Sequence, residues 1–180
     1  MTEPGPAHRR TPRRPATEAE ARALASAVRL RILRVCLDEA HTNKEIADRL
    51  HLNPASTLHH VRRLVATGFL TPEAERRGAR GAREVPYRAT GKSWTLDVHE
   101  AVRGRRRAML EAFLEEIRQV DLDSQAAMSR LGLRLTDAEL EELKHRLYAV
   151  LDEFRNREPT PDGVPYSVFL AVHPDASRRR

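Results

Sequence analysis

Between residues 42 and 70 (TNKEIADRLHLNPASTLHHVRRLVATGFL) the apolar positions follow a helical period that is broken once. Thr42, with Glu45 three residues on, forms a capping box, so a helix should begin at Asn43. Ile46, Ala47 and Leu50 give that helix one narrow buried stripe. His51, Leu52 and Asn53 interrupt the pattern. Asn53 suits an N-cap and Pro54 the first helical position, where a missing N–H costs nothing. A second helix should then bury Leu58, Val61, Leu64 and Val65 and stop at Gly68 in a left-handed cap. Two short helices joined by about three residues fit helix-turn-helix geometry.

The same reading predicts the flanking elements. Thr17 with Glu20 opens a short helix to about residue 25, and Ser26 caps another through residue 38. Leu30, Leu33, Cys36 and Leu37 are expected on one face of that helix. Residues 69–71 read as a short strand with Pro72 at its edge. Residues 75–83 (ERRGARGAR), with two glycines and four arginines, read as a hairpin tip, and 84–90 as the returning strand. A hairpin directly after the second helix is the wing of a winged helix. Residues 97–120 read as one long helix with Val98, Val102, Met109, Phe113, Ile117 and Val120 near one side, weakened locally at Gly104. Leu110 and Leu114 widen that stripe beyond the needs of one small domain. Leu131, Leu133 and Leu135 alternate as a strand, Thr136 with Glu139 caps a helix to about residue 157, and 166–172 (YSVFLAV) is an apolar strand.

Composition narrows the class. A chain of 180 residues, 40% hydrophobic and 32% charged, is a globular protein of one domain or two small ones. No apolar run approaches bilayer length and the N-terminus lacks an apolar signal core, so no membrane partner is expected. A single cysteine, Cys36, excludes an internal disulfide framework and suits a reducing cytoplasm. It lies on an apolar stripe, where a small core residue belongs. The net charge of +6 sits mostly in the tails, residues 1–17 and 173–180. Inside the fold the charge is polarised, basic from His59 to Lys92 and acidic from Arg134 to Asp162.

The chemistry gathers on the second helix. Ser56, Thr57, His59, His60, Arg62 and Arg63 are polar, and no carboxylate occurs from Asn53 to Pro72. An ordinary solvated face mixes both signs of charge. Hydroxyls, imidazoles and guanidiniums donate to phosphates and to base edges, so double-stranded DNA is the expected partner. Asn43, Lys44 and Pro54 at the two helix starts should touch the backbone, and Arg76, Arg77, Arg80 and Arg83 should reach from the wing to phosphates or a minor groove. Arg9, Arg10, Arg13 and Arg14 could lie along DNA as a basic arm or remain a solvated tail.

LASAVRLRILRVCL, then TNKEIADRLHLNPASTLHHVRRLVATGFL, the hairpin and YRATGKSW, resemble the ArsR-like winged helix-turn-helix regulators over residues 18–95. The most specific stretch is STLHHVRRLVATGFL. The resemblance implies a homodimeric cytoplasmic transcription regulator, usually a repressor released by an effector, here an unknown small molecule. It also implies that the helix after the wing pairs the protomers, through Val98, Val102, Met109, Leu110, Phe113 and Ile117. The expected fold class is therefore α+β, mainly α. A winged helix-turn-helix domain (17–95) precedes a dimerisation helix (96–122) and a small strand-helix-strand region (123–173), between basic tails at 1–16 and 174–180.

Metal sensing finds no support. Cys36 is the only thiol, which removes the paired-thiolate arrangement such proteins carry. Asp97-x-His99 matches half of a second arrangement, but Leu110 stands where its completion belongs, so Asp97 reads as an N-cap. No cofactor is expected. Nor is an enzyme, because there is no phosphate-cradling glycine loop, no nucleophile elbow and no Cys/His pair with obvious geometry. The remaining alternatives are a protein-interaction module and a nucleoid-type binder relying on arginine tails.

Overall fold

In a computed structural model, describing residues 13–78, 81–97, 104–125 and 127–178, each N-terminal helix starts where a side chain can satisfy its first amides. Strand β1 (Arg14–Pro15) precedes α1 (Glu18–Leu24), opened by the Thr17–Glu20 capping box, and α2 (Ala27–Val35), capped by Ser26. Strand β2 (His41–Thr42) runs straight into α3 (Asn43–Leu50), whose Thr42–Glu45 capping box is formed in both directions. Helix α4 (Pro54–Ala66) begins at Asn53, whose Oδ1 accepts from the Ala55 N–H at 2.8 Å.

Both helix ends around the turn close through left-handed residues, His51 at φ 55° and Gly68 at φ 71°. At α3, Leu52 N donates to Ala47 O (2.9 Å) and His51 N to Asp48 O (3.3 Å). At α4, Phe69 N donates to Leu64 O (2.8 Å) and Gly68 N to Val65 O (2.9 Å). Each nested pair is a Schellman end, which occupies carbonyls that a helix otherwise leaves over.

The wing follows as β3 (Leu70–Pro72), β4 (Arg76–Arg77), β5 (Arg83–Glu84) and β6 (Pro86–Ala89). The central sheet has the order β2-β6-β3, antiparallel throughout, with Leu70 opposite Ala89 and His41 opposite Tyr87. The β4–β5 pair carries the hairpin outward. Helix α5 (Lys92–Thr95) leads to β7 (Leu96–Asp97), which pairs parallel with β1. Helices α6 (Arg105–Ile117) and α7 (Leu122–Gln125) close this unit, which spans Arg13–Gln125. Its core joins Leu24, Ile32, Cys36, Ile46, Val61, Leu64, Phe69, Leu70 and Leu96, all essentially inaccessible to solvent. Burying each large aliphatic there is worth about 2 kcal/mol.

Several expectations change. Helix α2 stops at Val35, three residues short of 38, and Leu37 beyond its end is exposed, so it leaves the apolar face. Residues 14–15 are a paired strand and no part of a tail. Asp97 lies in β7, where its carbonyl accepts from Ala16 N at 2.9 Å, and the helix start expected after it falls at 98–103, outside the described residues. The single helix expected over 97–120 is interrupted at Gly104, whose φ of 98° a continuing right-handed helix does not allow; α6 covers Arg105–Ile117, and 98–103 lie outside the described residues.

The second unit contains α8 (Asp137–Arg155), opened by the expected Thr136–Glu139 capping box, and a 3₁₀ turn at Ala176–Arg178. The expected strands at 129–135 and 166–172 carry no ladder among the described residues. Alternation of apolar residues describes a face, whereas a strand also needs a neighbour for its backbone groups. Leu131, Val164, Tyr166 and Val168 are accordingly exposed.

Replacing Gly68 by alanine should lower unfolding stability by about 1 kcal/mol, the cost of a Cβ in the left-handed region. The Lys92 ammonium lies 3.1 Å from the new methyl position and must shift by a few tenths of an ångström, which adds to that cost. A urea denaturation midpoint unchanged from wild type would contradict this reading of the α4 terminus.

Candidate nucleic-acid interface

Helix α4 buries Thr57, Val61 and Leu64, so its opposite face is turned outward. Pro54, Ser56, His59, Arg62 and Arg63 are exposed, and His60 is half-buried. Thr57 leaves the expected contact face. It is fully buried, and its hydroxyl donates to Asn53 O at 2.9 Å. Ser56 Oγ donates to the same carbonyl at 2.9 Å but stays at the surface. Leu58 and Val65, expected in the core, are only half-buried on the helix flank.

The first helix of the pair is tied to the second by Asn43, whose Nδ2 donates to Pro54 O at 2.9 Å. That bond sets the turn and occupies the amide expected at a DNA backbone. Lys44 is exposed and faces Asp48 at 3.4 Å. Like other solvent-exposed ion pairs, this one leaves the lysine readily available to another anion.

The wing arginines are more heavily engaged than the sequence suggests. Arg76 pairs with Glu45 and lies 3.7 Å from Glu84, while Arg83 is 3.0 Å from Glu75. Burial pushes the Glu45 carboxyl up, but its bonds to Thr42 and the nearby Arg76 guanidinium outweigh this and hold it below the ordinary value. Glu45 thus caps α3 with one oxygen and anchors the wing with the other. Arg77 is exposed on β4; Arg80 lies outside the described residues. His41, buried beneath this corner, is pushed below the usual imidazole range by desolvation and by Arg49.

The far end of α4 is held by a buried carboxylate. Glu20, only 6% exposed, accepts both Arg14 guanidinium nitrogens (2.6 and 3.0 Å) and lies 2.7 Å from Lys92 Nζ. Lys92 in turn donates to Thr67 O at 2.6 Å and sits 5.2 Å from the Phe69 ring. Arg14, expected in a solvated arm, is therefore committed to Glu20, and the neighbouring Arg13 stacks over Trp94 at 4.7 Å. The Arg14 bond, opposed by burial and reinforced by Lys92, holds Glu20 well below the carboxylate range. Sequence reasoning does not reach Lys92 or Arg29, because Lys92 meets Glu20 and Thr67, and Arg29 meets His60, across 25 or more positions.

On α6 the packing face is narrow. Ala108 and Ala112 are buried, and Arg34 reaches Glu116 at 4.0 Å. Met109, Leu110 and Leu114 are exposed, and Phe113 and Ile117 are half-buried. Val98 and Val102 lie outside the described residues, as does His99. Cys36 is fully buried and its thiol is pushed up to about 12 by desolvation, as fits a core residue.

Residues 24–73, from the end of α1 through β3, match the helix-turn-helix domain family. Solved structures overlay the chain loosely. The transcriptional regulator SlyA is 17% identical, with 71% of this chain and 73% of that one covered at a TM-score of 0.31. A mutant of Lactococcus lactis ZitR in apo form is 22% identical, with 74% and 86% covered and a TM-score of 0.31. A second ZitR mutant gives 19%, 71%, 74% and 0.30 in the same order. No curated protein matches the chain significantly. No helix among the described residues is long and apolar enough to cross a membrane.

Replacing Glu20 by glutamine should cost about 2 kcal/mol at pH 7, because two cations lose their counter-charge. The folded carboxyl titrates below its unfolded value, so the wild-type advantage is complete above about pH 4.3. It fades as pH falls below that. Urea midpoints measured across pH 3–7 should converge at the acid end; a constant gap would contradict the buried ion cluster.

Proposed function

We propose that the protein is a sequence-specific, DNA-binding transcription regulator of the ArsR-like type, acting in the cytoplasm as a homodimer. The observation that carries this reading is the outward face of α4, where Ser56, His59, Arg62 and Arg63 stand exposed and the stretch from Asn53 to Pro72 holds no carboxylate. A helix that buries one stripe and presents only donors on the other is suited to a groove lined by acceptors and flanked by phosphates.

In the proposed complex α4 lies in the major groove and Lys44 meets the backbone. Arg77, Arg80 and Arg83 follow it along the flanking phosphates. Arg76 acts as the wing's anchor through Glu45, a role supported by its two carboxylate neighbours. Residues 17–95 form the reading domain. Repression, with release by a small-molecule effector, is the mode that the ArsR-like resemblance implies. No cofactor or catalytic step enters the proposal.

Pairing is assigned to α6. A row of Met109, Leu110 and Leu114, between 37% and 46% exposed, is an apolar surface that a second copy of the same helix would cover across a two-fold axis. Two reading helices would then meet successive major grooves about 34 Å apart.

Replacing Arg62 and Arg63 together by alanine should weaken operator binding and reduce the slope of log affinity against log salt by about 2. An unchanged slope in a fluorescence-anisotropy titration would sink the assignment of α4. Replacing Leu110 and Leu114 by glutamate should give a folded monomer in analytical ultracentrifugation, since both side chains are exposed in the isolated chain. A variant that remains dimeric would move the interface elsewhere.

A further inference from the structure

Arg29, on α2, lies outside the helix-turn-helix pair yet reaches the reading helix. Its Nε donates to Ala23 O at 2.6 Å and its Nη2 to Arg22 O at 2.8 Å. Both carbonyls belong to the last turn of α1, where a cation is favoured and where backbone acceptors are otherwise left over. The guanidinium is therefore fixed in place by two bonds on one side. Its remaining terminal nitrogen, Nη1, lies 3.5 Å from His60 Nδ1.

A guanidinium only donates, so at this contact the imidazole nitrogen must accept. With Nδ1 accepting, the neutral ring carries its proton on Nε2. The surroundings agree. Desolvation first, then the charge of Arg29 and the neighbouring His59, push His60 below the usual imidazole range. Arg63, on the same helix, adds a further positive charge beside Arg29. Among the described residues, the charged and titratable groups that shift these two side chains are Arg63 for Arg29, and Arg29 and His59 for His60.

We propose that Arg29 is a positioning residue for DNA reading: pinned on the end of α1, it holds His60 as the neutral Nε2–H tautomer, so that His60 meets an acceptor atom of DNA with a single, defined proton. The inference rests on α4 being the reading helix. It adds a residue from outside that helix and a stated protonation state. A single-proton donor reads a purine N7, a carbonyl oxygen or a phosphate oxygen, and its contribution stays constant through neutral pH. An imidazolium would instead add charge, and hence salt dependence, as pH fell.

Two measurements test this, and the first needs no DNA. Long-range proton–nitrogen correlation spectra of the labelled full-length protein at pH 7.5 should show His60 with Nε2 protonated and Nδ1 bare. In Arg29→Met, which keeps the length of the side chain but not its donors, the two tautomers should mix and His60 should titrate at higher pH. Wild-type His60 protonated on Nδ1, or a Met variant with the wild-type spectrum, overturns the proposal. Should the Met variant fail to fold, the wild-type tautomer and a pair of His60 variants decide.

Glutamine places an amide N–H near the Nε2 position and asparagine near Nδ1. His60→Gln should therefore hold operator affinity within about threefold while His60→Asn loses about tenfold, the size of one hydrogen bond. Equal losses in both variants overturn the Nε2 donor. Wild-type protein that binds no duplex refutes the DNA-reading role itself, a result distinguishable from failure of the tautomer spectrum.

Discussion

Ile32, Ile46, Val61 and Leu64 share one core, and the direction of every exposed side chain on α4 follows from that shared burial. A helix of thirteen residues can give only one stripe to a core, and here Thr57, Val61 and Leu64 supply it against α2 and α3. Once that stripe is fixed, His59, Arg62 and Arg63 have nowhere to point but outward. The two Schellman ends set the start and stop of the presentation. Asn43 holds the N-terminal end through Pro54 O, and Lys92 holds the C-terminal end through Thr67 O. A fixed helix is what recognition needs, because donors held in place lose less freedom on binding.

Electrostatics arrange the same region in two tiers. The inner tier consists of carboxylates that hold the scaffold: buried Glu20 gathers Arg14 and Lys92, and half-buried Glu45 joins the α3 cap to Arg76. The outer tier consists of cations and imidazoles on α4 with no carboxylate of their own helix beside them. Arginines that look equivalent in a basic stretch thus divide by partner. Arg14 and Arg76 serve the fold, whereas Arg62, Arg63 and Arg77 stand exposed.

Much of this architecture is legible in the chain because its signals are local. Capping boxes at Thr17, Thr42 and Thr136 each need one residue and another three positions on, and all three form. Asn53-Pro54 and Gly68 likewise mark the limits of α4 through backbone preferences that act within one turn. What the chain conceals is pairing over distance. Arg29 meets His60 across 31 positions and Arg76 meets Glu45 across 31, with no periodic pattern to announce either. Thr57 lies in the core rather than on the contact face because a hydroxyl that bonds back to Asn53 O is satisfied there, which polarity alone does not reveal. The strands expected at 129–135 and 166–172 rest on apolar pattern alone, and among the described residues they carry no ladder.

The proposal that residues 42–70 form half of a two-fold reader of DNA sequence is tested most directly by selecting bound duplexes from a random pool with the full-length protein. A two-fold reader enriches an inverted repeat whose half-sites are centred about one helical turn, roughly 10 base pairs, apart. A recovered pool with no enriched sequence, or an enriched sequence without two-fold symmetry, would contradict it.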